Sequence, residues 1–235
     1  MSKLNTVTLA VIAAVCAGSA SAASVDFRHE YKHDRKEHSN RIKMSASTND
    51  FYYGVEMKFV AGKDNNDEYS GPFQNMKQNG SEFDFGYVYN VTDQFYLQPG
   101  MPITFGTDSV TFKPQLRVGY KFDSGITAKL RYRHEFRQFE DATEKDNQQK
   151  SKVTANLDYS YEQFQFGLES NYEKAQTDDV VYYNNKDYNW DVNMKLGYKI
   201  PDSDWRPYVE FGNISVSSDS DKRQLRSRVG VTYSF

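Results

Sequence analysis

The sequence predicts an all-β fold, a transmembrane antiparallel up-and-down β-barrel of about twelve strands in the bacterial outer membrane. Three observations predict it. The chain begins with an export signal, the apolar residues beyond it alternate one by one with polar residues, and short connections alternate with long ones. Together these features indicate strands that cross a bilayer with one face toward lipid and the other toward water.

Residues 1–22 have the layout of a secretory signal peptide. Lys3 gives a positive start, an apolar run covers 7–17, and the small residues that follow suit cleavage after Ala22. The run is too short to cross a membrane as a helix. We therefore expect one mature domain over 23–235, and the only cysteine, Cys16, would leave with the signal, so no thiol chemistry is predicted.

Composition argues against a helical membrane protein. Mean hydropathy is −0.81, and after the signal no run approaches the roughly 18 apolar residues of a membrane helix. The 235 residues nevertheless include 18 Tyr and 16 Phe, so apolar groups are numerous but dispersed. The formal net charge is −3, and −4 without Lys3, which gives no reason to expect a nucleic-acid partner.

The dispersed apolar residues follow the period of two of a β-strand. From 151 to 161, Val153 and Leu157 share one face, while Lys152 and Asp158 share the other. Segments with this pattern lie near 24–33, 39–48, 51–60, 81–89, 94–105, 110–122, 126–137, 151–161, 164–173, 188–198, 205–215 and 223–235. Most have about ten residues, the length of a tilted membrane strand. A closed barrel satisfies both faces and leaves no open sheet edge.

The connections between these strands alternate in length. Tight links are expected at 49–50, 90–93, 123–125, 162–163 and 199–204, and long polar loops at 61–80, 138–150 and 174–187. Outer-membrane barrels have short periplasmic turns and longer outer loops, so an even strand count places both termini in the periplasm. Phe235 ends the chain in an aromatic pattern typical of recognition by the barrel-assembly machinery. Outer-membrane lipid and lipopolysaccharide are the other expected partners.

The polar faces of the strands assign the lining of the lumen. Closure makes strand twelve the neighbour of strand one, and strands six and seven then lie across from them. The first basic track consists of the solute-binding candidates Arg28, Arg41, Lys43, Arg226 and Arg228, and Lys32 completes this basic wall. The second basic track consists of the solute-binding candidates Arg117, Lys129, Arg131, Arg133 and Arg137, and Lys113 and Lys121 complete this basic wall. Arg and Lys linings suit anionic solutes, and a guanidinium group matches a carboxylate in two-point contacts.

Acidic residues also fall on the inward faces, chiefly on strands four, nine and ten. A structural barrel whose lumen is closed by Arg–Glu pairs is therefore the alternative to a channel. The basic residues cluster by strand instead of alternating with acids around the barrel, and this favours an anion-preferring channel.

Four stretches of the chain resemble the oligogalacturonate-specific porin (KdgM-like) family. They are Arg28-His29-Glu30-Tyr31, Arg41-Ile42-Lys43, the stretch from Leu97 to Pro102 and the aromatic C-terminus. The resemblance covers the whole mature chain. It implies a monomeric twelve-stranded channel, without cofactor, that passively conducts acidic oligosaccharides such as oligogalacturonate. Sialic acid and other acidic sugars are alternative substrates.

Two prolines distinguish the fifth strand. Pro99 and Pro102 cannot donate ladder hydrogen bonds, so the strand is predicted to break or bulge near Gly100.

A lipid-facing hydrolase, like the phospholipase barrels, is the enzymatic alternative. It needs a Ser–His pair on the outer wall, and Ser170 faces outward on a strand that is not beside that of His29 or His134. No catalytic residue is therefore assigned.

A short loop near the start of the chain collects candidate metal ligands. His33 and His38 flank it together with Asp34 and Glu37, but a solvated polar loop explains these residues more simply. No metal ligand is assigned. An adhesin would need larger or more apolar outer loops than these.

Overall fold

The computed structural model describes residues 22–178 and 180–235. The predicted signal peptide lies outside the described residues except for Ala22, so that prediction stays a prediction. The strands are β1 (Ala22–Lys32), β2 (Glu37–Thr48), β3 (Phe51–Ala61), β4 (Met76–Tyr87), β5 (Tyr89–Asn90), β6 (Phe95–Gly100), β7 (Ile103–Phe105), β8 (Ser109–Phe112), β9 (Gln115–Lys121), β10 (Ile126–Phe139), β11 (Gln148–Tyr161), β12 (Phe164–Ala175), β13 (Tyr188–Tyr198), β14 (Trp205–Ser215) and β15 (Arg223–Ser234). A short 3-10 turn covers Asp141–Thr143. No helix in the described part of the chain is long and apolar enough to cross a membrane.

The strands form one closed antiparallel barrel. The first strand, β1, pairs with the last, β15, and every strand pairs antiparallel with its neighbours around the ring. Strands β4 and β5, β6 and β7, and β8 and β9 each form one interrupted span, so fifteen segments make twelve spans. The predicted barrel of about twelve strands is confirmed.

Loops and turns separate to opposite ends of the barrel. Turns at 49–50, 91–94, 122–125, 162–163 and 199–204 lie at one end, here called the turn end, and the connections at 33–36, 62–75, 106–108, 140–147, 176–187 and 216–222 lie at the other, the loop end. The two ends of the described chain meet at the turn end, where the Phe235 amide donates to Ala23 O at 2.8 Å.

Strand β4 begins five residues earlier than predicted. Its register against β3 shifts between Met57 and Phe59, and Gly80 takes a left-handed φ of +87°. This bulge interrupts the period of two, so residues 76–80 do not continue the alternation of the later residues and were not predicted as part of the strand.

The outer wall carries the apolar side chains. Leu130 is 51% exposed and Met194 65% exposed, as expected of groups that face lipid instead of a core. The charged positions of the same strands point inward. The interior is therefore polar, and the apolar surface that a soluble protein would bury forms the belt of the barrel.

The proline-containing span and its partner span are interrupted at neighbouring places. Strand β6 ends at Gly100 and β7 begins at Ile103, which confirms the predicted break. The partner span breaks opposite it, between Phe112 and Gln115, and the Lys113 amide donates to the Pro102 carbonyl at 2.9 Å across the gap. This second break was not predicted.

Two inward tyrosines lie against the wall over glycines. The Tyr96 ring occupies the space a Cβ would need on Gly119, with 2.1 Å between the built Cβ and the ring. Tyr208 covers Gly230 in the same way, at 2.4 Å. A side chain at either glycine would expel the ring, so these positions keep the lumen wall flat.

Candidate functional site

The lumen contains a central cavity of about 610 Å³. Strands from opposite sides of the barrel line it, and its lining is mainly charged. Five predicted track residues border this one cavity, three from the first track and two from the second: Arg28, Arg41, Arg228, Arg131 and Arg133. Guanidinium groups from the two tracks therefore face a shared space.

The other five predicted residues do not border this cavity. Arg137 lines a second cavity of about 390 Å³ at the loop end, and Arg226 lines a third of about 330 Å³. Lys43, Arg117 and Lys129 occupy inward strand positions but border none of the three.

The first track is interleaved with acids. Arg41 pairs with Asp26 at 2.5 Å and with Glu56 at 3.3 Å. Arg228 pairs with Glu30 at 2.6 Å and also with Glu210. These carboxylates fix the guanidinium groups and cancel much of their charge. The expectation that basic residues cluster without alternating acids is wrong for this track, because strand alternation sorts residues by face and gives no cross-strand partners.

Arg28 is one exception within the first track. It lies directly opposite Arg41 on the neighbouring strand. Among the described residues it makes no side-chain hydrogen bond and no ion pair, and its Nε is buried without a partner. A buried guanidinium group beside a like charge favours an incoming anion.

The middle of the second track is held by neutral groups. Arg131 donates to the Thr154 hydroxyl at 3.0 Å, and Arg117, its cross-strand neighbour, donates to Gln98 at 2.9 Å. Arg133 makes two bonds to Gln115 Oε1, at 3.0 and 2.7 Å. Amide and hydroxyl acceptors orient these side chains without cancelling their charge.

The ends of the second track are closer to acids. Arg133 also has Glu135 at 3.8 Å, Lys129 pairs with Asp158 at 2.6 Å, and Arg137 lies 3.6 Å from Asp108. Uncancelled charge therefore concentrates in the middle of the barrel wall.

A hydrogen-bonded network links the two tracks behind the cavity. The Thr154 hydroxyl, which accepts from Arg131, donates to Asn171 Oδ1 at 2.7 Å, and the Asn171 amide nitrogen donates to Asp191 at 2.9 Å. Asn193 also donates to Asp191, at 2.8 Å, and accepts from Arg226 at 2.5 Å. This network fixes the wall formed by β11, β12 and β13.

Three lysines of the central cavity, Lys58, Lys152 and Lys195, were not assigned to it from the sequence. Lys152 lies opposite Arg133 on the neighbouring strand, and Lys195 lies over the Tyr208 ring, 3.7 Å from its centroid. The alternation places these lysines inward, but none of them lies on a strand that was assigned to a basic track.

Among the described residues there are two Ser–His contacts, one beside the connection at 33–36 and one on the outer wall. His33 Nε2 lies 2.8 Å from Ser227 Oγ, and His134 Nδ1 lies 3.2 Å from Ser151 Oγ. Of the serines, only Ser170 was predicted as a candidate, because the cross-strand register that brings Ser151 and Ser227 beside a histidine cannot be derived from the sequence. The far nitrogen of His134 faces the neutral amide of Gln149, at 3.3 Å, whereas the histidine of a Ser-His-Asp triad is oriented by a carboxylate.

The short loop near the start of the chain shows no metal arrangement. Across residues 22–178 and 180–235, no group of three or more His, Cys, Asp or Glu could hold a metal ion.

Comparison with known proteins gives consistent matches over nearly the full length. Residues 16–235 match the family described as oligogalacturonate-specific porin protein (KdgM). The oligogalacturonate-specific porin KdgM of Dickeya dadantii (strain 3937) is 34% identical over 99% of this chain and 100% of the relative. These relatives are named as porins, channels rather than enzymes.

Solved structures give the same picture. The KdgM porin in complex with disordered oligogalacturonate is 28% identical, covers 90% of this chain and 99% of its own, and superposes with a TM-score of 0.67. The NanC porin, at 17% identity, matches in fold with a TM-score of 0.73 over 89% of this chain and 98% of its own. The chain is therefore a bacterial outer-membrane β-barrel and belongs to the oligogalacturonate-specific porin (KdgM) family.

Proposed function

We propose that this porin lets acidic oligosaccharides of the oligogalacturonate type diffuse passively through its lumen, guided by the two basic tracks. One observation carries the proposal. Arg131 and Arg117 are oriented by neutral acceptors, and Arg28 has no acidic partner within ion-pair distance among the described residues. An anionic solute is the natural counter-ion for guanidinium charges left uncancelled inside a barrel.

The spacing of the arginines suits a chain of carboxylates. Arg131 and Arg133 lie two residues apart on β10, so their Cα atoms are about 7 Å apart along the strand, from a rise of roughly 3.3 Å per residue. Arg226 and Arg228 repeat this spacing on β15. Successive sugar carboxylates can therefore bind consecutive guanidinium groups in turn as the sugar moves along the wall.

The acids of the first track have a role in the same mechanism. Glu30 and Glu210 hold Arg228 in place and weaken its pull on a passing anion. A channel conducts only if each site releases its solute, so a wall with uncompensated arginines at its middle, opposite a mostly compensated wall, favours passage over trapping. Arg131 and Arg117, which neutral acceptors hold in the middle of the second track, then make the main contacts with the solute.

The relatives support the class of solute. The Dickeya dadantii relative is named for oligogalacturonate, and a related solved structure is described with this sugar bound and disordered. A sugar without one fixed pose is what several weak and equivalent contacts would produce. Both names concern those proteins, and they make a polyuronate the first candidate solute here.

The placement in the membrane belongs to the same proposal. The turn end, with both termini, faces the periplasm, and the loop end faces outward toward lipopolysaccharide. The channel works as a monomer. Phe235 presents the aromatic C-terminus to the barrel-assembly machinery.

Efflux from loaded liposomes tests the proposal. Vesicles with the purified porin are loaded with trigalacturonate or with neutral maltotriose, with an ionophore present to balance charge, and the sugar released is assayed over time. Trigalacturonate should leave faster at low ionic strength, and its advantage should shrink as salt screens the tracks. Equal or slower release of the acidic sugar would contradict the proposal, and retention of both sugars would favour a barrel closed by ion pairs.

A further inference from the structure

Tyr182 lies across the loop end of the lumen. It lines both the 390 Å³ cavity and the 330 Å³ cavity, and it does not line the central cavity. Asn79 borders both the central and the 390 Å³ cavities, and Lys32 borders both the central and the 330 Å³ cavities. The Tyr182 ring therefore separates two openings that both adjoin the space between the tracks.

The loop that carries Tyr182 is fixed to the loop between β14 and β15. The amides of Asn184 and Asn185 donate to the Ser220 and Ser218 carbonyls at 3.2 and 2.9 Å, and the Tyr183 hydroxyl donates to Asp221 O at 2.5 Å. These bonds hold the Tyr182 backbone in one place. The ring is therefore a built part of the opening.

One side of the Tyr182 ring is already in contact with a cation. Lys150 Nζ lies 5.3 Å from the ring centroid and also lines the 390 Å³ cavity. Lys150 is itself paired with Glu135 at 3.3 Å and with Glu173 at 3.1 Å. The side of the ring toward the 330 Å³ cavity remains for a solute.

The charge of the two openings differs. The lining of the 330 Å³ cavity has three cations, Lys32, Arg35 and Arg226, and one acid, Asp191. Lys32 and Arg35 both pair with Glu37, at 2.5 and 2.8 Å. The lining of the 390 Å³ cavity has three cations and two acids, and its cation beside Tyr182 is Lys150 with two carboxylate partners. On the 330 Å³ side, Arg226 donates to the neutral amide of Asn193 at 2.5 Å and lies 3.9 Å from Glu30, so its charge is the least compensated and favours an acidic solute beside it.

We propose that Tyr182 is the first sugar-binding residue of the channel. The C–H face of a uronate ring stacks on the Tyr182 ring from the 330 Å³ cavity, and its carboxylate points toward Lys32, Arg35 and Arg226. An aromatic ring presents an apolar, weakly negative face, which suits the C–H face of a pyranose. Burial raises the pKa of the Tyr182 phenol, so the ring stays uncharged beside an anionic solute. This inference rests on the proposed function, because it places an entrance site before the two tracks.

Single-channel recording with trigalacturonate tests the inference. The sugar is added to either side of a bilayer that contains one channel, and the frequency and duration of current blocks are measured. Four variants are compared: Tyr182→Phe keeps the ring, Tyr182→Leu keeps bulk without an aromatic face, Tyr182→Ala removes both, and Val181→Ala is the matched control on the same loop. The heat-dependent electrophoretic mobility of each variant reports that the barrel is folded.

The aromatic face of Tyr182 should contribute more to sugar binding than the volume of its side chain. For Tyr182→Leu, blocks from the loop end should become about three- to tenfold rarer or shorter, the range of one aromatic contact, while open-channel conductance is retained. Tyr182→Ala should lose blocks and gain conductance as the two openings merge. Tyr182→Phe and Val181→Ala should match the parent.

Two failures are distinguishable. If Tyr182→Leu blocks like the parent, Tyr182 is not a sugar-binding residue, and the proposed function still stands. If the parent channel shows neither trigalacturonate block nor anion preference, both the inference and the proposed function fail.

Discussion

Arg131 and Arg228 offer a matched test of how lumen charge acts, because the same substitution should have different consequences at the two sites. In Arg131→Gln, the lost guanidinium group was held by the neutral Thr154 hydroxyl, so no acid is left without a partner. In Arg228→Gln, the carboxylates of Glu30 and Glu210 lose their shared cation. Both changes remove one positive charge, but only the second leaves buried carboxylates uncompensated.

The expected magnitudes follow from these contacts. Two unit charges about 4 Å apart interact by about 1 kcal/mol in water, so Arg131→Gln should lower the anion-to-cation permeability ratio about fivefold in dilute salt. Its free energy of unfolding should change by less than about 1 kcal/mol. Arg228→Gln should lower the ratio as well and also destabilise the barrel by roughly 3–5 kcal/mol, the usual cost of breaking a buried ion pair from one side.

Reversal potentials across a salt gradient and urea unfolding in detergent measure the two quantities separately. The double variant Arg228→Gln with Glu210→Gln restores the charge balance, so it should recover part of the lost stability and most of the anion preference. The reasoning is refuted if Arg131→Gln leaves the permeability ratio unchanged while the barrel is folded, or if Arg131→Gln destabilises the barrel as much as Arg228→Gln.

Two further predictions concern the wall and the end of the chain. Gly119→Ala places a Cβ 2.1 Å from the Tyr96 ring and should destabilise the barrel by roughly 1–3 kcal/mol in urea unfolding. The control Gly197→Ala, where the atom nearest to the new Cβ is 3.7 Å away, should destabilise the barrel by less than about 1 kcal/mol. Equal losses of stability in the two variants would show that the Tyr96 ring is not confined. Phe235→Ala should slow insertion into the outer membrane in cells yet change the stability of refolded protein by less than about 0.5 kcal/mol, because the side chain is 74% exposed; normal insertion would contradict a role in assembly.

Regular alternation made the barrel predictable from sequence. Each span needs an apolar face for lipid and a polar face for water, so period-two patterning located twelve spans and assigned the inward phase of Arg28 and Arg131. The break between Gly100 and Ile103 was predictable as well, because proline removes a ladder donor whatever the surroundings. Both signals are local, and they depend on residue type alone.

Features that depend on cross-strand register were not predictable. Pairing of Arg228 with Glu30 and Glu210 brings together three strands, and the contact between His134 and Ser151 needs the register of two. The position of Tyr182 depends on a loop fixed by a second loop, for which the sequence has no periodicity.

A lumen that prefers anions is the central prediction, and the reversal potential of the unmodified channel measures this preference most directly. With a tenfold gradient of potassium chloride across a planar bilayer, the reversal potential should have the sign expected of a pore that is more permeable to chloride than to potassium. The preference should weaken as total salt rises above about 0.1 M, where the screening length falls below about 10 Å. A potential that shows cation preference, or a folded barrel that passes no current, would contradict the account.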